Sequence, residues 1–172
     1  MVGVKLEEFL ANKKTAVVNR WFQLLAEEYP PETARFLLRE KDQFANPVGH
    51  TIQEAVTGLF DILLEGGEAG SASRYLDSLL RIQAVQDFPP SRAIGGILHI
   101  KKIIGEELAG EIRAAGIHPE EIRLFASRVD RLALAAFDIY MACREKLYEI
   151  RVQEVKNRIA RLLQKANLLE KV

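Results

Sequence analysis

The sequence predicts an all-α protein, a globin-like or irregular helical bundle of about six helices whose long C-terminal helix extends into a coiled coil. Three observations carry this. Apolar residues recur at three-to-four spacing through nearly every segment. Proline and glycine fall mainly between those segments, where they mark helix ends. After Pro119 neither residue type occurs again, so nothing interrupts a helix to the end of the chain.

The 172 residues suit one domain with an appendage and suffice for a real core. A hydrophobic fraction of 48% and a charged fraction of 28% are ordinary for globular proteins, which argues against disorder and against a membrane protein. No apolar run approaches the roughly 18 to 20 residues of a membrane span, and the N-terminus lacks a signal pattern. A cytoplasmic protein is expected. One cysteine, Cys143, excludes an internal disulfide and a multi-cysteine metal site. The net charge of zero hides an asymmetry, because residues from Arg144 onward hold eight Lys/Arg against four Asp/Glu.

The first helix is expected from Lys5 to Glu28, with Leu6, Phe9, Leu10, Val17, Trp21, Leu24 and Leu25 on its apolar stripe. Trp21 reads as a core anchor rather than a ligand-stacking residue, because it fits that stripe. Tyr29-Pro30-Pro31 ends the helix, and a short second one covers Glu32 to Arg39. In Lys41-Asp42-Gln43-Phe44-Ala45-Asn46-Pro47-Val48-Gly49, Asn46 is placed to cap the third helix while Pro47 takes its first position. Capping accounts for Asn46, and a pocket role for Asn46 or His50 is the lesser reading. The third helix runs to about Glu65 and stops at Gly66-Gly67.

The fourth helix is expected from Arg74 to Gln86, and Phe88-Pro89-Pro90 must break it. The corner holds the candidate ligand-binding residues Arg81, Gln83, Gln86, Asp87 and Arg92. A carboxylate and a hydroxyl there can satisfy free amides, and arginine can pair with the carboxylate. The fifth helix, Ser91 to about Ala114, contains Gly95-Gly96, a pair that usually means a close helix crossing. His99 lies beside that small-residue face and joins the candidate ligand-binding set. The alternative functional reading is therefore a protein binding haem or another small cofactor through His99. A single histidine at helical spacing is more often structural, and no CxxCH attachment motif exists. No cofactor and no metal site is expected.

Pro119-Glu120-Glu121 opens the last helix with proline first and acids in the first turn. It is expected to reach about Leu169. Ile122, Phe125, Val129, Leu132, Phe137 and Met141 should dock on the bundle. From there Tyr148, Val152, Val155, Ile159, Leu162, Ala166 and Leu169 alternate by four and three, a heptad seam. The expected division is a sensor-like bundle over 1–147 and a coiled-coil extension over 148–172. A seam with nothing in its own chain to bury against predicts a partner helix, most simply that of a second copy. The flanking charges leave orientation open: in a parallel pair Arg151 would repel Lys156 while Lys165 would attract Glu170. The basic excess is interspersed with acids and accompanies no nucleic-acid module, so no nucleic-acid partner is expected. No nucleophile–base pair, metal cluster or phosphate loop can be read, so no enzyme is expected either.

Four pieces of the chain resemble the N-terminal domain of the RsbRD group of RsbT co-antagonists, from bacterial stressosome-type signalling. They are Arg20-Trp21 with Tyr29-Pro30, the Lys41–Gly49 stretch, Leu79-Leu80-Arg81-Ile82-Gln83-Ala84-Val85-Gln86-Asp87-Phe88, and Pro90-Ser91-Arg92-Ala93. The resemblance implies a helical, non-enzymatic sensory input module in a stress-response pathway. By analogy with related sensor domains it implies a globin-like fold without haem. In many members such a domain precedes a STAS output module. No such module is expected after the long helix here, and output is expected through a homodimer or through a protein partner of that helix.

Overall fold

The computed structural model describes residues 5–169, except for the side chains of Ala69 and of residues 167–169. The described residues are mostly helical, and no strand occurs among them. Eight α-helices follow one another: α1 (Leu6–Asn12), α2 (Lys14–Glu27), α3 (Pro31–Arg39), α4 (Pro47–Glu65), α5 (Ser73–Val85), α6 (Pro90–Lys102), α7 (Ala109–Ala114) and α8 (Pro119–Leu169). A 3₁₀ turn, Ala69–Ala72, leads into α5, and a π-helical turn, Ile103–Glu107, joins α6 to α7. The all-α class is as expected.

Eight helices stand where about six are expected because two long segments break. The first is interrupted at Lys13, whose backbone leaves helical geometry (φ −105°, ψ 11°). The break turns α1 so that Leu6 and Leu10 are fully buried, and Glu121 of α8 accepts the N–H of Leu6 (2.7 Å). The second break is the π turn, where the N–H of Leu108 reaches Ile103 O (2.9 Å). One extra residue in that turn rotates α7 relative to α6, so Ile103, Ile104 and Ile112 are all buried while Glu107 faces outward.

Other boundaries obey local chemistry. Asn46 Oδ1 accepts the N–H of Gly49 (2.8 Å) at the start of α4, and Pro47 takes the first helical position. Gly66 ends α4 in the left-handed region at φ 69°. At the α2–α6 crossing, a Cβ on Gly96 would lie 2.5 Å from Leu25, and the Trp21 indole donates to Gly96 O (2.8 Å). The small residue admits the close approach, and the buried indole finds its partner in the backbone it exposes. Trp21, Phe60, Phe125 and Tyr140 are the largest fully buried side chains.

Helix α8 packs mainly against α5 and α6. Its 51 residues span about 75 Å at 1.5 Å per residue. Phe125, Val129, Leu132, Ala136 and Tyr140 bury one face, and Cys143 and Leu147 continue it partly buried. Two α8 residues expected to dock, Phe137 and Met141, lie instead on the outer face, 46% and 38% exposed. They sit on the turns of the helix away from Ala136 and Tyr140, so period 3.6 carries them outward.

Candidate functional site

The site begins with the end of α5. The N–H of Phe88 bonds to Gln83 O (3.0 Å) and that of Asp87 to Ala84 O (3.1 Å). This paired closure places Asp87 in the left-handed region at φ 56°. Glycine is commonest in such a position, and aspartate is one of the few side chains that tolerate it. The turn tucks Phe88 inward, 7% exposed, against the Tyr29 ring (centroids 5.0 Å). Pro89 and Pro90 then start α6. Phe88 O accepts a short hydrogen bond from the buried Tyr140 hydroxyl of α8. Burial is the main reason the Tyr140 phenol is pushed above its ordinary pKa. One corner thus holds α2, α5, α6 and α8 together.

The six candidate ligand-binding residues do not form one cluster. Asp87 reaches α8, where Arg144 (3.1 Å) and Arg151 (3.4 Å) donate to its carboxylate. Arg144 also donates to the Tyr148 hydroxyl (2.7 Å) and lies over that ring. Arg92 sits over the Phe88 ring and 3.5 Å from Glu28, while His99 Nε2 lies 3.2 Å from the same carboxylate. Arg81 donates to Asp77 one turn back on α5 (2.8 Å). Gln86 is exposed. Gln83 is buried at 1% exposure, and its Oε1 has no partner among the described residues. His99 therefore serves as a carboxylate's partner, and Gln83 is part of the core.

Sequence reasoning missed Glu28, Tyr140, Arg144 and Arg151. The two arginines carried a signal, since a seven-residue separation puts them on one side of α8. Their partner is 57 and 64 residues away in sequence and could not be inferred.

The Asp87 ties are exposed at the carboxylate (60%). Exposed ion pairs contribute about 0 to 1 kcal/mol each. The arrangement can hold the root of α8 yet release it cheaply. Among the described residues no group of three or more His, Cys, Asp and Glu could hold a metal ion. None of the described helices is long and apolar enough to cross a membrane.

Beyond the corner, α8 exposes the residues expected to form a seam. Tyr148, Val152, Val155, Ile159 and Leu162 are 51 to 60% exposed, and Ala166 is exposed too. The Leu169 side chain lies outside the described residues. The stripe also runs back over the bundle: Leu134 (70% exposed), Met141, Tyr148, Val155 and Leu162 recur every seven residues.

The model of one protein family, the RsbT co-antagonist protein rsbRD N-terminal domain, matches residues 15–155. A protein of Archaeoglobus fulgidus described as uncharacterized is 28% identical over 106 residues, 60% of this chain. The match spans 66% of that relative's length. No solved structure matches the chain.

Proposed function

We propose that this chain, which belongs to the RsbT co-antagonist rsbRD N-terminal domain family, is a non-enzymatic input module signalling through α8 in a homodimer. The observation that carries the reading is the apolar stripe from Leu134 to Leu162, left exposed on a helix whose other face is docked on the bundle. Exposed apolar residues in heptad register gain by pairing with a second copy, which buries them knob into hole. The bundle over 1–147 would receive the input and the extension over 148–172 would transmit it, within the cytoplasm, to a downstream signalling protein.

The Asp87 corner is the point of transmission. Two weak ties hold α8 where it leaves the bundle, so a modest free-energy input there shifts the helix. Charge favours a parallel pair. Arg144, Arg151, Arg158 and Lys165 form one basic flank, which an antiparallel pair would set against its own copy. A parallel pair sets Arg144 beside Glu149, against one unfavourable Arg151–Lys156 pairing.

Val155→Cys in a Cys143→Ser background tests this. Mild oxidation is expected to give a covalent dimer bridged between the two introduced cysteines, since facing seam residues of a parallel pair meet each other. Failure to cross-link, with an intact fold by circular dichroism, contradicts the parallel pair.

A further inference from the structure

Helix α5 stops at Val85, and the Asp87 turn with Pro89 and Pro90 steers the chain away into α6. The bundle-facing stripe of α8 runs on through Cys143 and Leu147 to Ile150. A cleft of about 580 Å³ opens between the two helices. Its apolar lining includes Ala84, Val85, Ile139, Cys143, Leu147 and Ile150. Val85 and Ile150 are 58% and 47% exposed, so this apolar surface is open to a ligand.

The cleft has two ends. Ile139 and Ile150 lie about 16 Å apart along α8 at 1.5 Å per residue. Past Ile150 the same side of the helix turns polar and exposed, with Gln153 and Glu154. On α5 the cleft closes at Arg81 and Asp77.

Its charges are already matched. Arg81 donates to Asp77 (2.8 Å) and Lys146 to Glu149 (3.1 Å). Burial pushes the Cys143 thiol above its ordinary pKa, which keeps the sulfur in the lining uncharged. An ionised ligand would shed water here without gaining a free counter-charge. An apolar one gains by covering exposed aliphatic side chains. Size separates a small molecule from a partner helix. Small-ligand clefts span roughly 300 to 1,000 Å³. A helix as short as this cleft, about eleven residues, is marginal by itself in water.

We infer that the cleft binds an uncharged, elongated apolar small molecule. Val85 stands just before the Asp87 turn, and Cys143 and Ile150 adjoin Arg144 and Arg151, which tie α8 to that carboxylate. A ligand lodged between α5 and α8 acts where the root of α8 is held. Its role as the input rests on the signalling function proposed above, whereas binding itself does not.

The test titrates 1-octanol, octanoate and octylammonium, eight-carbon chains of different charge, into the full isotope-labelled protein and follows amide NMR shifts. Saturable shifts with 1-octanol are expected over residues 77–85 and 139–150, and both ions should bind about fivefold more weakly or worse. Ile150→Asp, at an exposed position on the side of α8 away from the seam, should weaken 1-octanol about tenfold and leave the mass in sedimentation equilibrium unchanged. Absence of saturation, ions that bind as tightly as the alcohol, or a variant that binds like the parent overturns the inference. So does a variant of reduced mass, which would show a second copy of the chain in the cleft. A monomeric parent that binds 1-octanol in the cleft would refute the paired α8 and uphold this site.

Discussion

Two buried tyrosine hydroxyls show how much a single atom's surroundings decide. Tyr140 donates to Phe88 O, so its loss would leave a carbonyl unpaired inside the corner. Tyr29, packed on the same Phe88, has no hydroxyl partner among the described residues. A buried polar group left unmatched costs about 1 to 3 kcal/mol, whereas removing an already unmatched one costs nothing. Tyr140→Phe is therefore expected to lower stability by about 1 to 3 kcal/mol in urea denaturation, and Tyr29→Phe to leave it unchanged or raise it. Burial pushes the Tyr29 phenol up to about 12 from its ordinary 10.0. The folded protein thus holds this proton more tightly than the unfolded chain. Its stabilising share is present below pH 10 and is lost as pH rises through about 12. Tyr29→Phe should flatten part of the alkaline decline in stability.

The helices depart from a smooth bundle at the two places where an element must turn to keep its apolar residues inside. Each departure is tied by an acid–base pair. Lys13, at the α1–α2 break, meets Glu111 of α7. Glu107, at the end of the π turn, accepts three hydrogen bonds from the Arg20 guanidinium of α2 (2.9 to 3.1 Å). Hydrogen bonding from that guanidinium holds the Glu107 carboxyl below its ordinary pKa. The contribution is present above the ordinary carboxylate pKa and lost as pH falls through the depressed value. Glu107 is about one-third exposed, which limits the effect to about 1 kcal/mol or less. Glu107→Gln should remove that part of the acid destabilisation in a pH series of thermal melts and change little else. The Asn46 cap, the Gly66 stop and the Pro89-Pro90 corner are legible in the sequence because each is set by one or two neighbouring residues. Nothing local marks Lys13 as a break, and at the π turn only Gly105 hints at one. Those turns are imposed by burial of Leu6, Leu10 and Ile112 against distant helices.

At the scale of the molecule, one helix has two apolar faces and the bundle uses only one of them. The exposed heptad stripe is readable from sequence because heptad spacing depends on a single helix. Its extension back to Leu134 is not, because only the docked bundle reveals which side of α8 stays outside. For the same reason the corner can be recognised as polar while its partners cannot: Asp87 is joined to Arg144 and Arg151, and Arg92 and His99 to Glu28. Dimerisation through α8 is tested most directly by the mass of the full chain in sedimentation equilibrium, beside the variant Ile159→Asp. A dimer is expected for the parent chain and a monomer of unchanged bundle stability for the variant, since a charge in the seam has no partner. A parent chain that is monomeric at micromolar concentration, or a variant that remains dimeric, would contradict signalling through a paired α8.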